Sequence, residues 1–152
     1  MKLLIVAAVT AMLCSTAAQA RGVIVAPGTS SSSLPRMVAA GGEELARDAM
    51  RFLNSGNPTG NRGPWCAFFG NFILQRHGYR TSGSGMAASM RFAGHPTRPH
   101  PGAIAWNYRH TGFVLAVNGN EVVLVSGNTH RGVVGISHYN VQQFNYVEPQ
   151  KG

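Results

Sequence analysis

The sequence predicts an α+β fold in which N-terminal helices pack on a C-terminal antiparallel β-sheet. The apolar residues of 43–54 repeat with the spacing of a helix, and 67–77 is an apolar stretch flanked by Pro64 and Gly78 as helices often are. From residue 103 onward the apolar residues fall instead in short β-branched runs, and Asn118-Gly119 between two of these runs is a strong hairpin signal. Because the helices precede the strands rather than alternating with them, the layout is typical of α+β proteins.

The remaining elements follow from local patterns along the chain. The first helix has acidic residues near its N-terminus, which suits the positive end of the helix dipole. The second follows Pro64 and ends before Gly78, and it is apolar nearly all round, which indicates burial. A loop over 55–63, a short helix over 86–92 and a proline-rich loop over 94–102 are also predicted. The predicted strands are 103–106, 112–117, 121–126, 133–137 and 144–147.

The 152 residues suit a single domain preceded by an export signal. Lys2 is followed by an almost unbroken apolar run and then by Ala18-Gln19-Ala20, the small-x-small pattern of a cleavage site. We therefore predict a signal peptide over 1–20, which makes the mature protein periplasmic or secreted. A stretch rich in Ser and Pro over 21–42 is expected to be a flexible leader, and the domain itself is expected to cover 43–150.

Composition limits the function classes. The formal net charge is +8, or +7 once Lys2 leaves with the signal peptide. The basic residues are dispersed and match no nucleic-acid-binding motif, so nucleic acid is not an expected partner. The apolar run of the signal is too short for stable membrane insertion after cleavage. Two Cys are too few for a zinc ribbon, and the scattered His residues lack ligand spacing, so neither a metal nor another cofactor is expected.

Cys66 is the only cysteine left once Cys14 departs with the signal peptide, so it cannot form an internal disulfide. It lies at the start of the second predicted helix, where unpaired N–H groups and the helix dipole favour a thiolate. The same N–H groups could hold the oxyanion formed when a thiolate attacks an amide. Cys66 is therefore a candidate nucleophile. There are two other interpretations. Cys66 could be a small buried residue packed under Trp65, or it could pair with a cysteine of another chain.

His110 is the candidate base among the six His, because it directly precedes an apolar strand and a strand end is a rigid mount. If residues 118–120 form a three-residue loop, His110 faces Asn128, with Cβ atoms about 4.5–5.5 Å apart. The Asn side chain could then hold one ring nitrogen while the other faces the thiol. A two-residue Asn118-Gly119 turn would instead place Gly127 opposite His110. A solvated His110 and a turn-forming Asn128 are the other interpretations.

Four short motifs follow one another along the domain. They are Pro64-Trp65-Cys66-Ala67 with an aromatic helix ending in Gly78-Tyr79, then Pro101-Gly102-Ala103-Ile104-Ala105, His110-Thr111-Gly112-Phe113-Val114 and Ser126-Gly127-Asn128. Together they resemble the motifs of CHAP-domain proteins (cysteine, histidine-dependent amidohydrolases/peptidases) and of related NlpC-type hydrolases. The final Tyr146-Val147-Glu148-Pro149 is similar to the closing strand of one exported subgroup. The resemblance implies a papain-like fold, with Cys66 as nucleophile, His110 as base and Asn128 as the orienting group.

Three positions depart from the family pattern. Ala103 stands where the family usually has Asp, a position that we interpret as structural. Arg109 stands where a Gly usually precedes the His, and its charge is expected to depress the pKa of His110. Ser126 stands where many CHAP domains carry Glu, which would leave Asn128 as the only orienting group.

The resemblance and the export signal together indicate an exported cysteine amidohydrolase or endopeptidase that hydrolyses amide bonds in peptidoglycan through a thioester. The backbone N–H of Cys66 would be one oxyanion donor, and Asn61 is a candidate for the second. Arg supplies 11 of the 13 cations and suits a polyanionic cell wall. Two other classes stay open: a catalytically silent CHAP-like module that binds the cell wall, and a secreted basic protein for nucleic acid or membrane surfaces.

Overall fold

The computed structural model describes residues 41–152. The predicted signal peptide, Cys14 and all but the last two residues of the predicted leader lie outside the described residues. The described part has its helices first and its strands second, and the strands form a six-stranded antiparallel sheet, which confirms the predicted α+β class. Within residues 41–152, none of the helices combines the length and apolar character needed to traverse a bilayer.

Two α-helices precede the sheet. α1 spans Glu43–Met50 and α2 spans Cys66–Arg76. α1 stops four residues before its predicted end, because the chain turns after Met50 and Asn54 adopts a left-handed φ of 64°. The short helix predicted near residue 86 is a 3-10 helix, Ala87–Ala93, and a second 3-10 helix, Val141–Gln143, was not predicted.

The sheet contains five predicted strands and one that the sequence did not reveal. Its strands are β1 Gly94–Pro96, β2 Ile104–Trp106, β3 Thr111–Asn118, β4 Glu121–Ser126, β5 Gly135–Asn140 and β6 Asn145–Pro149, in the order β1-β6-β2-β3-β4-β5. β1 was predicted as part of the proline-rich loop. It pairs with β6 at the edge of the sheet, where a proline is tolerated because its outer side needs no donor.

The β3–β4 hairpin sets the register of the sheet. Its loop is Gly119-Asn120, so neither of the loops considered from the sequence forms. A β-bulge at Leu115 then inserts one extra residue into β3. Beyond the bulge Phe113 faces Val125, which is the register that a three-residue loop would have given. The bulge therefore restores the expected alignment at the far end of the hairpin.

Separate apolar clusters cover the two faces of the sheet. Phe113 and Val125 belong to the cluster under the two helices, where Phe69 and Ile73, one turn apart on α2, are fully buried. The next residue of β3, Val114, points to the opposite face because side chains alternate along a strand. It belongs to the second cluster, with Leu124, Phe144 and Tyr146. The packing of α2 on one face brings its first turn to the ends of β3 and β4.

Asp48 links the two helices. Its carboxylate is 4% exposed, yet it accepts hydrogen bonds from Arg76 Nε at 2.8 Å and from His77 Nε2 at 3.0 Å, both at the C-terminal end of α2. Burial alone raises the pKa of Asp48, but these two hydrogen bonds and the charges behind them outweigh it and bring the pKa below its ordinary value of 3.8. The buried carboxylate is therefore paired and ionised at neutral pH.

We expect Asp48→Asn to lower the free energy of unfolding by about 1–3 kcal/mol, because it weakens charge-assisted hydrogen bonds in a buried position. Since the folded pKa lies below the unfolded one, the stabilisation should be complete well above pH 3.8 and should vanish as the pH falls through the folded pKa. Urea unfolding of both proteins between pH 2 and 7 measures the difference. Glu121→Gln, which breaks an exposed contact with His138, is the control and should change stability by less than about 1 kcal/mol. An equal effect of the two substitutions would contradict this role for Asp48.

Candidate active site

Cys66 is the first residue of α2 and is only 4% exposed. The helix starts there because Pro64 interrupts the preceding backbone and Trp65 supplies the first helical carbonyl, which accepts the N–H of Phe69 at 2.9 Å. The backbone N–H of Thr111, the first residue of β3, lies close enough to the Cys66 sulfur to lower the pKa of the thiol. This contact places the nucleophile candidate beside the strand end that carries His110.

The protonation state expected for Cys66 is wrong. Burial is the largest effect and raises the pKa of its thiol. The backbone N–H groups of Thr111, Ala67 and Cys66 itself lower that pKa, as the helix position predicted, but they only partly offset burial. The pKa therefore lies above its ordinary value of 9.0, and the thiol is neutral at rest.

Two glycines allow close approaches at this point, Gly127 between the sheet and the start of α2, and Gly112 between β3 and β4. A Cβ on Gly127 would lie 2.5 Å from the ring of Trp65 and 2.7 Å from the Cβ of Phe69. A Cβ on Gly112 would lie 2.8 Å from the Cβ of Ser126 on the neighbouring strand. Only glycine fits at either position without moving its surroundings. The first turn of α2 therefore rests directly on the backbone that follows β4.

His110 lies immediately before β3 and is half-buried. Its Nε2 is 2.8 Å from the hydroxyl oxygen of Ser126, and its ring centroid is 6.1 Å from that of Tyr139. Burial lowers its pKa below the ordinary value of 6.5. The direction agrees with the prediction, but Arg109 is not the cause. The imidazole is therefore neutral at pH 7, and Nδ1 is the ring nitrogen that remains free of Ser126.

Ser126, and not Asn128, is the hydrogen-bond partner of the His110 ring in the described residues. Ser126 is the last residue of β4 and is fully buried. Asn128 is half-buried and adopts a left-handed φ of 55°, which agrees with its interpretation as a turn residue. The expectation that Asn128 is the only group that orients the His110 ring is therefore wrong, because Ser126 contacts the ring. The serine was missed because it was considered only as a lost carboxylate, although its register beside Gly112 pointed to this contact.

Asn107 fixes the turn that carries the base. Its side-chain oxygen accepts the backbone N–H groups of Arg109 and His110, each at 2.8 Å. Its amide nitrogen donates to the carbonyl of Gln143 at 3.1 Å, and its own N–H donates to the carbonyl of His110 at 3.0 Å. One side chain thereby sets the backbone of two neighbouring residues next to Cys66. No sequence pattern indicated this role.

Cys66 borders a cavity of about 370 Å³, within the size range of small-ligand sites. Its lining residues are Pro64, Cys66, Gly85, Met86, Ala87, Ala88, Tyr108 and Arg109. The side chains of Met86 and Tyr108 are 70% and 85% exposed and flank its mouth. Asn71 of α2 secures one wall, because it accepts the N–H of Ser82 and donates to the carbonyl of Ser84, both at 2.8 Å. The largely covered Cys66 therefore borders open space on one side.

The remaining sequence candidates lie elsewhere. Asn61 is exposed, donates its amide to the carbonyl of Thr59 at 3.3 Å and does not line the cavity at Cys66. His77, His100 and His138 each contact a carboxylate. Within residues 41–152, no group of three or more His, Cys, Asp or Glu side chains could hold a metal ion.

Comparison with known proteins finds similarity to a solved structure only at the level of the fold. No protein-family model matches the sequence, and no curated protein matches it. Among solved structures, the chain is similar to the crystal structure of Ly7917, with a TM-score of 0.51 and 18% sequence identity over 70% of this chain. The matched region covers 61% of the length of the Ly7917 chain. A likeness at this level of identity concerns the fold alone.

We expect Ser126→Ala to disturb the His110 ring, because it leaves Nε2 without its partner in a buried position. ¹⁵N-labelled histidine spectra should show a single tautomer of His110 in the parent protein and a mixture or a displaced signal in the variant. Asn128→Gly is the matched control, since it removes the amide while suiting the left-handed backbone. A larger change of the His110 signals in Asn128→Gly than in Ser126→Ala would return the orienting role to Asn128.

Proposed function

We propose that the protein is an exported cysteine hydrolase with a papain-like fold of the CHAP or NlpC type, which cleaves amide bonds in peptidoglycan. The observation that carries this proposal is the closeness of the Cys66 sulfur to the backbone N–H of Thr111, which lowers the pKa of the thiol. Because Thr111 follows His110 in the chain, this contact puts the thiol and the imidazole at the same strand end. The cavity at Cys66 supplies space for a substrate at the same place.

In this mechanism the resting pair is a neutral thiol and a neutral imidazole. With Nε2 engaged by Ser126, Nδ1 of His110 takes the thiol proton while the Cys66 sulfur attacks the amide carbonyl. The protonated ring then gives that proton to the leaving amine, and a thioester remains. A water molecule, deprotonated by His110, hydrolyses the thioester and restores the thiol. The backbone N–H of Cys66, which has no partner within its helix, would be one donor to the oxyanion.

The substrate class comes from the export signal, the charge and the resemblance to CHAP proteins. The net charge of +7 expected for the mature chain would concentrate the enzyme at a polyanionic wall. Peptidoglycan offers both a sugar–peptide amide and peptide amides, and the protein would act on one of these classes. No metal or other cofactor enters the proposed steps.

A catalytically silent module that binds the cell wall is the second candidate. It is favoured by the raised pKa of the Cys66 thiol and the lowered pKa of His110, which together oppose a resting ion pair. It is also favoured by the hydrogen bonds within residues 41–152, none of which joins the thiol to the ring. We prefer the enzyme because catalytic hydrogen bonds are often long in unliganded proteases and hydrolases and shorten when substrate binds.

Cys66→Ala should abolish the hydrolysis of purified peptidoglycan, because it removes the nucleophile and leaves a similar apolar volume. His110→Ala should reduce the rate at least a hundredfold, in line with the usual contribution of a general base. Mass spectrometry of the digest measures both, and it also tells an amidase from an endopeptidase by whether the stem peptide is released whole or shortened. Arg80→Gln, an exposed change beyond the opposite end of α2, should retain parent activity. Hydrolysis that survives in Cys66→Ala would exclude the thiol mechanism.

The pH dependence tests the neutral pair. Attack requires unprotonated His110, whose pKa is lowered, so kcat/KM should rise with pH along a limb centred below 6.5. Because burial raises the pKa of Cys66 above 9.0 and no imidazolium is required, kcat/KM should not fall between about pH 7 and 9. A bell-shaped profile that declines across this range would instead indicate a thiolate–imidazolium pair.

A further inference from the structure

Arg109 is the one charged residue that lines the cavity at Cys66 within the described part of the chain. Its neighbours around the cavity are a cysteine, a tyrosine and five apolar or glycine residues. A carboxylate entering such a cavity loses water and needs a partner, and a guanidinium is well suited to bind one with two parallel hydrogen bonds. The cavity therefore has one position that would compensate an acidic group.

The chain itself supplies no acid to this position. All five acidic residues lie between residues 41 and 152, and none of them lines the cavity. Arg51 and Arg76, by contrast, are paired with Asp48. Within the same range, Arg109 takes part in no ion pair, and only its backbone N–H donates a hydrogen bond. Its guanidinium is therefore available to a ligand.

The backbone of Arg109 is fixed relative to that of His110. The side-chain oxygen of Asn107 accepts both of their backbone N–H groups, and its amide ties the turn to Gln143. A group held by Arg109 would therefore lie within one side-chain length of a backbone that is fixed relative to His110. Rigid placement of this kind determines which bond of a bound substrate reaches the reacting atoms.

We propose that Arg109 forms a carboxylate-binding subsite beside Cys66, which selects peptides with a free carboxylate next to the amide that is cleaved. The selection of a cleaved bond depends on the function proposed above, whereas the binding of the carboxylate does not. Stem peptides of peptidoglycan carry such carboxyl groups, either free or converted to primary amides. The subsite would distinguish the two forms.

The test uses the Cys66→Ala protein, so that binding is measured without turnover. Calorimetry compares the binding of two synthetic stem peptides. The peptides differ only in whether the carboxyl group beside the amide bonds is free or converted to a primary amide. The free acid should bind about tenfold more tightly, as expected for a charge-assisted contact in a partly enclosed site. Adding Arg109→Gln should remove this preference and leave the amide form within twofold of its former Kd. Adding Arg80→Gln, the same loss of charge elsewhere, should leave the preference intact.

Equal binding of the two peptides, or a preference that survives Arg109→Gln, would overturn the subsite. Arg109→Lys provides a second variant, because it keeps the charge but not the planar fork and should restore only part of the preference. The two proposals fail separately. A preference in binding without hydrolysis by the parent protein refutes the enzyme but not the subsite, whereas hydrolysis of both peptides at rates unaffected by Arg109→Gln refutes the subsite but not the enzyme.

Discussion

The close approach of the first turn of α2 to the ends of β3 and β4 is the constraint on which the rest of the site depends. The backbone N–H of Thr111 reaches the Cys66 sulfur, and Trp65 occupies the space that Gly127 leaves by having no side chain. Any larger residue at position 127 would push the helix away from the sheet. The cavity, the thiol and the imidazole therefore depend on one tightly packed contact rather than on a flexible loop.

The burial that accompanies this close packing also determines the protonation states of Cys66 and His110. Removing the thiol and the imidazole from water raises the pKa of Cys66 and lowers that of His110, so both groups favour their neutral forms. In the proposed mechanism such a site starts without a charge separation and creates one only during attack. Substrate that fills the cavity would exclude more water and strengthen every hydrogen bond available to the developing charge. Ser126 serves such a site better than an ionised carboxylate would, because it holds the ring without favouring the imidazolium.

One short turn combines the two groups that would face the substrate. Asn107 holds the backbones of Arg109 and His110 by the same side-chain oxygen, so the two side chains start from one fixed turn. Arg109 stands where a Gly usually precedes the His in the CHAP-domain proteins that the sequence resembles. We interpret this replacement as a change in substrate recognition, because burial rather than the guanidinium accounts for the pKa of the neighbouring ring.

The sequence by itself determined the α+β class, most element boundaries and the choice of Cys66 and His110, because helical and strand periodicity, Pro, Gly and Asn-Gly signals act over short stretches of chain. Tertiary structure decided the rest. The bulge at Leu115 returned the hairpin to the register expected from a three-residue loop, but β4 ends at Ser126, so Asn128 lies in a turn beyond the strand and Ser126 contacts the ring of His110. Tertiary packing also set the burial of Cys66, which favours the neutral thiol instead of the thiolate expected from its position at the helix start. Register and desolvation depend on contacts between residues far apart in the chain, and local patterns carry no record of them.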